Sequence, residues 1–155
     1  MRFKEINAAF VKIAATVFFI GYLPLMPGTF GSLAGVGLFY WSRGFSWITY
    51  LGLILGVILL GLMVCGRMEK LLNKKDPGCI VIDEVAGILV ALSFMPLDFK
   101  IIFLGFLIFR ILDTLKIYPA GRIQNRHGAV GVIGDDLIAG IYTNLILQII
   151  LKLPL

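Results

Sequence analysis

Histidine and cysteine are nearly missing from this 155-residue sequence, which has one of the former, His127, and two of the latter, Cys65 and Cys79. The cysteines show neither the paired spacing of a zinc site nor the setting of a small disulfide scaffold, so both read as packing residues. Charge is thin too, at 15% of residues, whereas 59% are hydrophobic and the mean hydropathy is +0.98. That balance is far from an ordinary water-soluble domain, and a bilayer is the solvent it suits. The net charge of +5 comes in short clusters between apolar segments instead of a tail or stripe. Nucleic acid is therefore a poor partner, and an anionic leaflet or anionic substrate a better one. Also lacking are a fixed-period repeat, a low-complexity tract and a dividing linker, so a single domain over 1–155 is expected. No small-x-small cleavage site follows the N-terminal apolar stretch, which Lys12 interrupts, and a cleaved signal peptide is not expected.

What is present is a set of apolar runs. Trp47 to Val64, Phe99 to Leu115 and Leu137 to Leu153 are each close to the length a helix needs to cross hydrocarbon. Ser32 to Trp41 and Ile80 to Met95 would reach about 15 and 24 Å at a helical rise, short of the roughly 30 Å core, and are expected to re-enter or to span a thinned bilayer. Arg67, Lys70, Lys74 and Lys75 share one connection and Arg122 and Arg126 another, which assigns both to the cytoplasmic side. The reversals near Arg43 and Pro96 then lie outside, with Trp41, Trp47 and Tyr50 placed as an aromatic belt.

Five of the nine acidic residues fall inside or at the edge of these runs: Asp83 and Glu84, Asp113, and Asp135 and Asp136. Burying each costs several kcal/mol unless it is paired, protonated or metal-bound. Any one of them can be explained alone; Asp135 after Gly134, for instance, is as good an N-cap as a ligand. Five on three helix ends at one predicted depth point to a hard cation. Carboxylate oxygens are the donors Mg²⁺ prefers, and the imidazole and thiolate that zinc would want are scarce. Arg110, Asp113 and Lys116 recur every third residue and share a helix face, either as an internal ion pair or as cations that grip phosphate beside a metal-facing carboxylate. Between Leu23 and Gly35, prolines and glycines break the apolar run before a helix expected to open at Ser32. The break is either a structural turn with Ser32 as N-cap or a set of amides facing an anion.

For a phosphate ester as substrate, counting excludes several chemistries. Neither cysteine has an arginine six positions later, two histidines are not available, and there is no Asp-x-Asp motif. Metal-assisted attack by water remains, with a carboxylate taking the proton.

Four segments then form a recognisable set: Pro27-Gly-Thr-Phe-Gly-Ser32, Asp76-Pro-Gly-Cys-Ile-Val-Ile-Asp-Glu84, Phe109-Arg-Ile-Leu-Asp-Thr-Leu-Lys116 and Gly131-Val-Ile-Gly-Asp-Asp-Leu-Ile-Ala-Gly140. In order and spacing they resemble the phosphatidylglycerophosphatase A family. The resemblance implies a Mg²⁺-dependent enzyme of the bacterial inner membrane that removes the terminal phosphate of phosphatidylglycerophosphate to give phosphatidylglycerol; the basic connections place the acids on the cytoplasmic side. By position it carries the family's acidic motifs onto Asp83, Glu84, Asp113, Asp135 and Asp136, its arginine onto Arg110, and its glycine-rich motif onto Gly28, Thr29, Gly31 and Ser32. The family often has a Lys-Pro pair after the third motif; here Lys116 is followed by Ile117-Tyr118-Pro119.

The expected fold is all-α: a polytopic membrane protein, a compact bundle with short or re-entrant helices and an acidic site at its cytoplasmic face. Asp83, Asp113 and Asp136 are assigned to Mg²⁺ and Glu84 or Asp135 to the attacking water. Arg110 is assigned to transition-state charge, and Gly28, Thr29, Gly31, Ser32, Arg110 and Lys116 to the substrate. A cation-coupled carrier is the alternative from another class; it would want the acids near midplane and two inverted halves, and no such halves are recognisable. A scaffold subunit would pair every acid with a cation, and five acids outnumber Arg110 and Lys116. His127 reads as a surface residue of a basic loop. His127→Ala is thus expected to leave phosphate release in detergent near that of the unaltered protein; a loss as deep as that of an aspartate variant would move the general base to the imidazole.

Overall fold

The computed structural model describes the backbone of residues 2–126 and 128–152 and the side chains of 7–126 and 128–152; His127 and Leu153 lie outside. The fold is all-helical, with no strand among the described residues. Its helices are α1 (Arg2–Ala15), α2 (Pro27–Trp41), α3 (Trp47–Leu72), α4 (Ile82–Ala91), α5 (Phe99–Leu115), α6 (Ala120–Gln124) and α7 (Ala129–Lys152). Among the described residues, α3 and α7 are the two helices both long and apolar enough to cross a membrane, by length and composition. The bounds of α5 agree with the sequence reading, and at 17 residues it extends about 25 Å.

Start signals are conventional where side chains cap. Ser46 Oγ accepts the Thr49 N–H at the head of α3, and Asp98 Oδ1 accepts those of Lys100 and Ile101 at the head of α5. Two starts differ from expectation. Helix α2 opens at Pro27, five residues before Ser32, because a proline at the first position gives up no needed donor. Ser32 therefore sits in the second turn, where its hydroxyl donates to the Gly28 carbonyl and caps nothing. Helix α7 opens at Ala129, so Asp135 is an interior residue and not a cap. Gly131 and Gly134 are helical there because the preceding loop lies against them: a Cβ on Gly131 would strike the Arg126 carbonyl, and one on Gly134 the Ile123 side chain.

Helix α4 is the hub. Ten residues long and buried on nearly every side, it packs against α2, α3, α5 and α7. A helix that ends inside an apolar bundle must find partners for its last carbonyls. Tyr50 Oη donates to Leu89 O at 2.7 Å, Ser93 Oγ to the same oxygen at 3.0 Å, and Asn144 Nδ2 to Ala91 O and Ser93 O at 3.0 and 2.8 Å. Tyr50 is consequently a core residue packed edge-on to Phe39, and the aromatic belt keeps only Trp41 and Trp47, which are exposed. Around α4 lies one apolar cluster with Phe39, Ile54, Ile88, Leu89, Leu92, Phe109 and Leu147. A second joins α1 to the C-terminal half of α3 through Val11, Ala15, Val64, Cys65 and Met68, with Cys79 at its edge, as packing cysteines should be.

Glycines set the approach of α4 to α7. A Cβ on Gly87 would lie 2.7 Å from the Phe109 ring and 2.8 Å from the Asp136 carbonyl; one on Gly140 would overlap the Gly87 carbonyl and stand 3.3 Å from Val90 Cβ. Gly140→Ala is therefore expected to destabilise the protein by about 1–3 kcal/mol, because backbone must move. Gly56→Ala in α3, where a Cβ meets nothing within 4 Å, should leave stability unchanged or raise it. Thermal unfolding of both variants in detergent measures the difference.

Candidate active site

Three helix segments meet at the end of the bundle away from the Tyr50 and Asn144 contacts. Asp83 and Glu84 occupy the first turn of α4, Asp113 the last turn of α5, and Asp135 and Asp136 the second turn of α7. The close α4–α7 approach described above brings the first and last pairs together. One carboxylate oxygen from each of Asp83, Glu84 and Asp136 lies within 4.8 Å of the others, and the same holds for Asp113, Asp135 and Asp136. Asp136 is common to both groups. All five border one cleft of about 290 Å³.

Burial is deep for three of them: Asp83, Asp135 and Asp136 are 6%, 4% and 3% exposed. Two cations serve the five. Arg110 Nη1 donates to Asp113 Oδ2 at 2.9 Å, and Lys116 Nζ stands 2.5 Å from Asp135 Oδ2 and 3.9 Å from Asp113 Oδ1. Lys116 ends α5 in a left-handed conformation, φ 47°, which turns its side chain's base toward α7. Burial works against its ammonium, but the hydrogen bond to Asp135 and the carboxylates of Asp135 and Asp113 outweigh that and hold its pKa above the usual lysine value. Among the described residues no ion pair reaches Asp83, Glu84 or Asp136. Glu84 Oε2 and Asp135 Oδ1 are buried without any hydrogen-bond partner there.

Such orphaned oxygens are costly in a low-dielectric setting, and a hydrated divalent cation among the carboxylates fits this all-oxygen set, since its water could meet them. Among the described residues, which do not include His127, the groups that could hold a metal here are all carboxylates. Among the described residues the cluster is therefore a candidate hard-metal centre.

The remaining expected residues divide. Gly28 borders the site: a Cβ there would overlap Glu84 Oε1 and lie 3.2 Å from both Arg110 Nη atoms, so the missing side chain makes room for the acid and the guanidinium together. Ser32 Oγ is 3.5 Å from Arg110 Nη1. Gly31 faces the segment that leads into α4, where a Cβ would stand 2.7 Å from Val81 Cβ. Thr29 lies in the first turn of α2 and is not among the residues lining the cleft.

Four lining residues were given no site role from sequence, Asp76, Gly78, Ile80 and Thr114, although each lies within one of the motif segments. Asp76, at φ 43°, is held by its N–H to Glu69 Oε1 at 2.8 Å and by Gln124 Nε2 to its Oδ2 at 3.1 Å. Its Asp-Pro-Gly context reads as a turn, and only its position seven residues before Asp83 hinted at more.

Comparison with known proteins follows the same segments. A family model described as phosphatidylglycerophosphatase A matches residues 13–151. The Escherichia coli (strain K12) protein named phosphatidylglycerophosphatase A is 35% identical over 157 residues, covering 96% of this chain and 91% of that protein. Its namesake in Haemophilus influenzae is 31% identical over 140 residues, covering 85% and 83%. A Bacteroides thetaiotaomicron protein, named provisionally as a phosphatidylinositol-3-phosphatase, is 27% identical over 146 residues, covering 88% and 91%. No solved structure matches the chain. Every cleft carboxylate lies inside the matched stretch, which runs from the end of α1 almost to the end of α7: the chain belongs to the phosphatidylglycerophosphatase A family.

Proposed function

We propose that the protein is a Mg²⁺-dependent lipid phosphatase that hydrolyses phosphatidylglycerophosphate to phosphatidylglycerol and phosphate. It would act as one polytopic domain of the bacterial inner membrane, with the cleft facing the cytoplasm. The observation that carries this reading is the gathering of five carboxylates in one cleft, with Lys116 on its wall and Arg110 paired to Asp113, in a chain of this family. Orientation is supported by the basic connections, which share the cleft's end of the molecule: Lys75 Nζ donates to Asn125 O, and Gln124 reaches Asp76 on the cleft wall. The carrier alternative gains nothing, since the acids collect at one end of the bundle.

Asp83, Asp113 and Asp136 are the residues proposed to hold Mg²⁺, with Asp136 central because it belongs to both carboxylate groups. When bound there, the ion supplies polarisation of the phosphoryl oxygens and offsets their charge. Glu84 and Asp135 each keep one buried oxygen without a partner, and these are the groups proposed to orient water and take its proton. Arg110 is fixed by Asp113 and presents its other guanidinium nitrogen toward Gly28, where it can meet charge that develops on the phosphate. Lys116 holds Asp135 in place and adds a second cation. On α2, Gly28 leaves the space, Ser32 contributes a hydroxyl near Arg110, Gly31 sets the approach to Val81, and Thr29, in the same first turn but off the cleft wall, is the substrate assignment with the least structural support.

The decisive experiment is phosphate release from phosphatidylglycerophosphate by purified protein in detergent, with Mg²⁺ and with a chelator. Turnover should require the metal and should fall by about a hundredfold or more in Asp136→Asn, with helix content by circular dichroism unchanged. No metal-dependent turnover, together with an Asp136→Asn variant equal to the unaltered chain, would overturn the reading. In the same preparation Mg²⁺ at about a hundred times its Kd should stabilise the protein by about 2.7 kcal/mol. Asp136→Asn should lose that thermal shift.

A further inference from the structure

The turn between α1 and α2 is apolar, exposed and uncharged, and neither the fold nor the proposed chemistry has so far used it. From Ile13 to Ser42 the chain carries no charged side chain, thirty residues in a row. Within that stretch Phe18, Phe19, Tyr22, Leu23, Leu25 and Met26 are all exposed, Phe18 at 80% and Leu25 at 97%. Val17, Phe18, Phe19 and Leu25 have φ of 47°, 53°, 69° and 83°, a left-handed backbone that branched and bulky residues adopt only when their surroundings impose it.

Exposed loops ordinarily leave their amides to water. Here every backbone N–H from Thr16 to Leu23 has an acceptor within the chain, at 2.9–3.2 Å; Phe19 uses the Thr16 hydroxyl and the others use carbonyls. Pro24 has no N–H to satisfy. A non-helical segment can stand against lipid only when its polar backbone is closed on itself in this way. From Thr16 to Leu23 the side chains thus project apolar surface while the amides need no water.

The turn is also fastened to the acid cleft. Val81 N–H, just before α4, donates to Ala15 O at 2.9 Å. Gly21 lies so close on the Cys79 carbonyl that no side chain would fit, and two residues beyond Met26 comes Gly28, in contact with Glu84 and Arg110. Leu23 to Met26 therefore border the same end of the bundle as the carboxylates.

From these three observations we infer that the Phe18–Met26 turn is buried in the acyl region of the bilayer leaflet that supplies the substrate and forms the membrane-side rim of the cleft. A lipid enters sideways past Leu25 and Met26, its chains staying in the leaflet while its phosphate passes Gly28 to the carboxylates. The sideways entry rests on the proposed lipid phosphatase activity; the burial of the turn in lipid does not.

Two measurements test this separately. Leu25→Trp, placed in a Trp41→Phe, Trp47→Phe background and reconstituted in phosphatidylcholine vesicles with brominated acyl chains, should emit blue-shifted fluorescence that the bromines quench. Emission typical of water, or a blue shift without quenching, which would mean that a second copy of the chain covers the turn, overturns the inference. Leu25 touches almost nothing, so Leu25→Asp should fold normally. It should lower kcat/KM for long-chain phosphatidylglycerophosphate in bilayers by about tenfold or more, while turnover of a monomeric short-chain analogue with the same headgroup stays unchanged. Equal loss on both substrates overturns lateral entry. If the unaltered chain hydrolyses neither lipid, the activity reading fails, and the quenching still decides where the turn lies.

Discussion

Mutual repulsion of carboxylates is the constraint around which this bundle is arranged. At an effective dielectric of about 20, two carboxylate charges 4.8 Å apart repel by about 3.5 kcal/mol, and Asp136 stands at such distances from four others. Arg110 and Lys116 relieve Asp113 and Asp135 but do not reach Asp83, Glu84 or Asp136. The helix termini help in part: the first turn of α4 presents the positive end of its dipole to Asp83 and Glu84, and the Glu84 N–H donates to Asp83 Oδ1 at 3.1 Å. A half-charge at one helix end cannot balance three unpaired acids. The surplus is what makes the cluster a candidate place for a hard cation, and the approach of α4 and α7 through Gly87 and Gly140 is what keeps these carboxylates together.

The acids were legible in the sequence because charge inside an apolar run has no bland explanation when it occurs on three segments together. Asp83, Glu84, Asp113, Asp135 and Asp136 do meet, and the spacing of Arg110, Asp113 and Lys116 does place them on one face. Helix starts were less legible. Glycine near a helix end looks like a break, yet Gly31 and Gly131 lie within helices because tertiary contact leaves no room for a side chain, and that contact is invisible to local pattern. Tyr50 was misplaced for a related reason. Its neighbours Trp41 and Trp47 are interfacial in character, whereas its own hydroxyl is needed 39 residues away on the Leu89 carbonyl. Asp76 opens one of the four motif segments but was given no site role, since a turn residue gives no periodic signal; what holds it is Glu69, which also accepts the Gly128 N–H and so ties two loops to the end of α3.

Membrane proteins can place polar groups anywhere a helix allows, so the depth of this cleft requires a cause, and the length of α4 supplies one. Ten helical residues extend about 15 Å, roughly half the hydrocarbon core. The C-terminal end of α4 is closed by Tyr50, Ser93 and Asn144, which satisfy its carbonyls and leave nothing for a ligand. With the inner end sealed, the open end with its carboxylates comes out near one surface. A full-length helix in the same position would carry the acids across the bilayer or leave them far from its other functional end. In the proposed membrane placement the short buried helix would set this depth, so that a phosphorylated headgroup could meet the carboxylates at the interface without losing its hydration to hydrocarbon. The apolar turn beside Gly28 completes the geometry from the lipid side. On the proposed reading the carboxylates and the basic connections would meet the headgroup while the uncharged turn meets the leaflet, which is the arrangement required by a substrate whose two ends prefer different solvents.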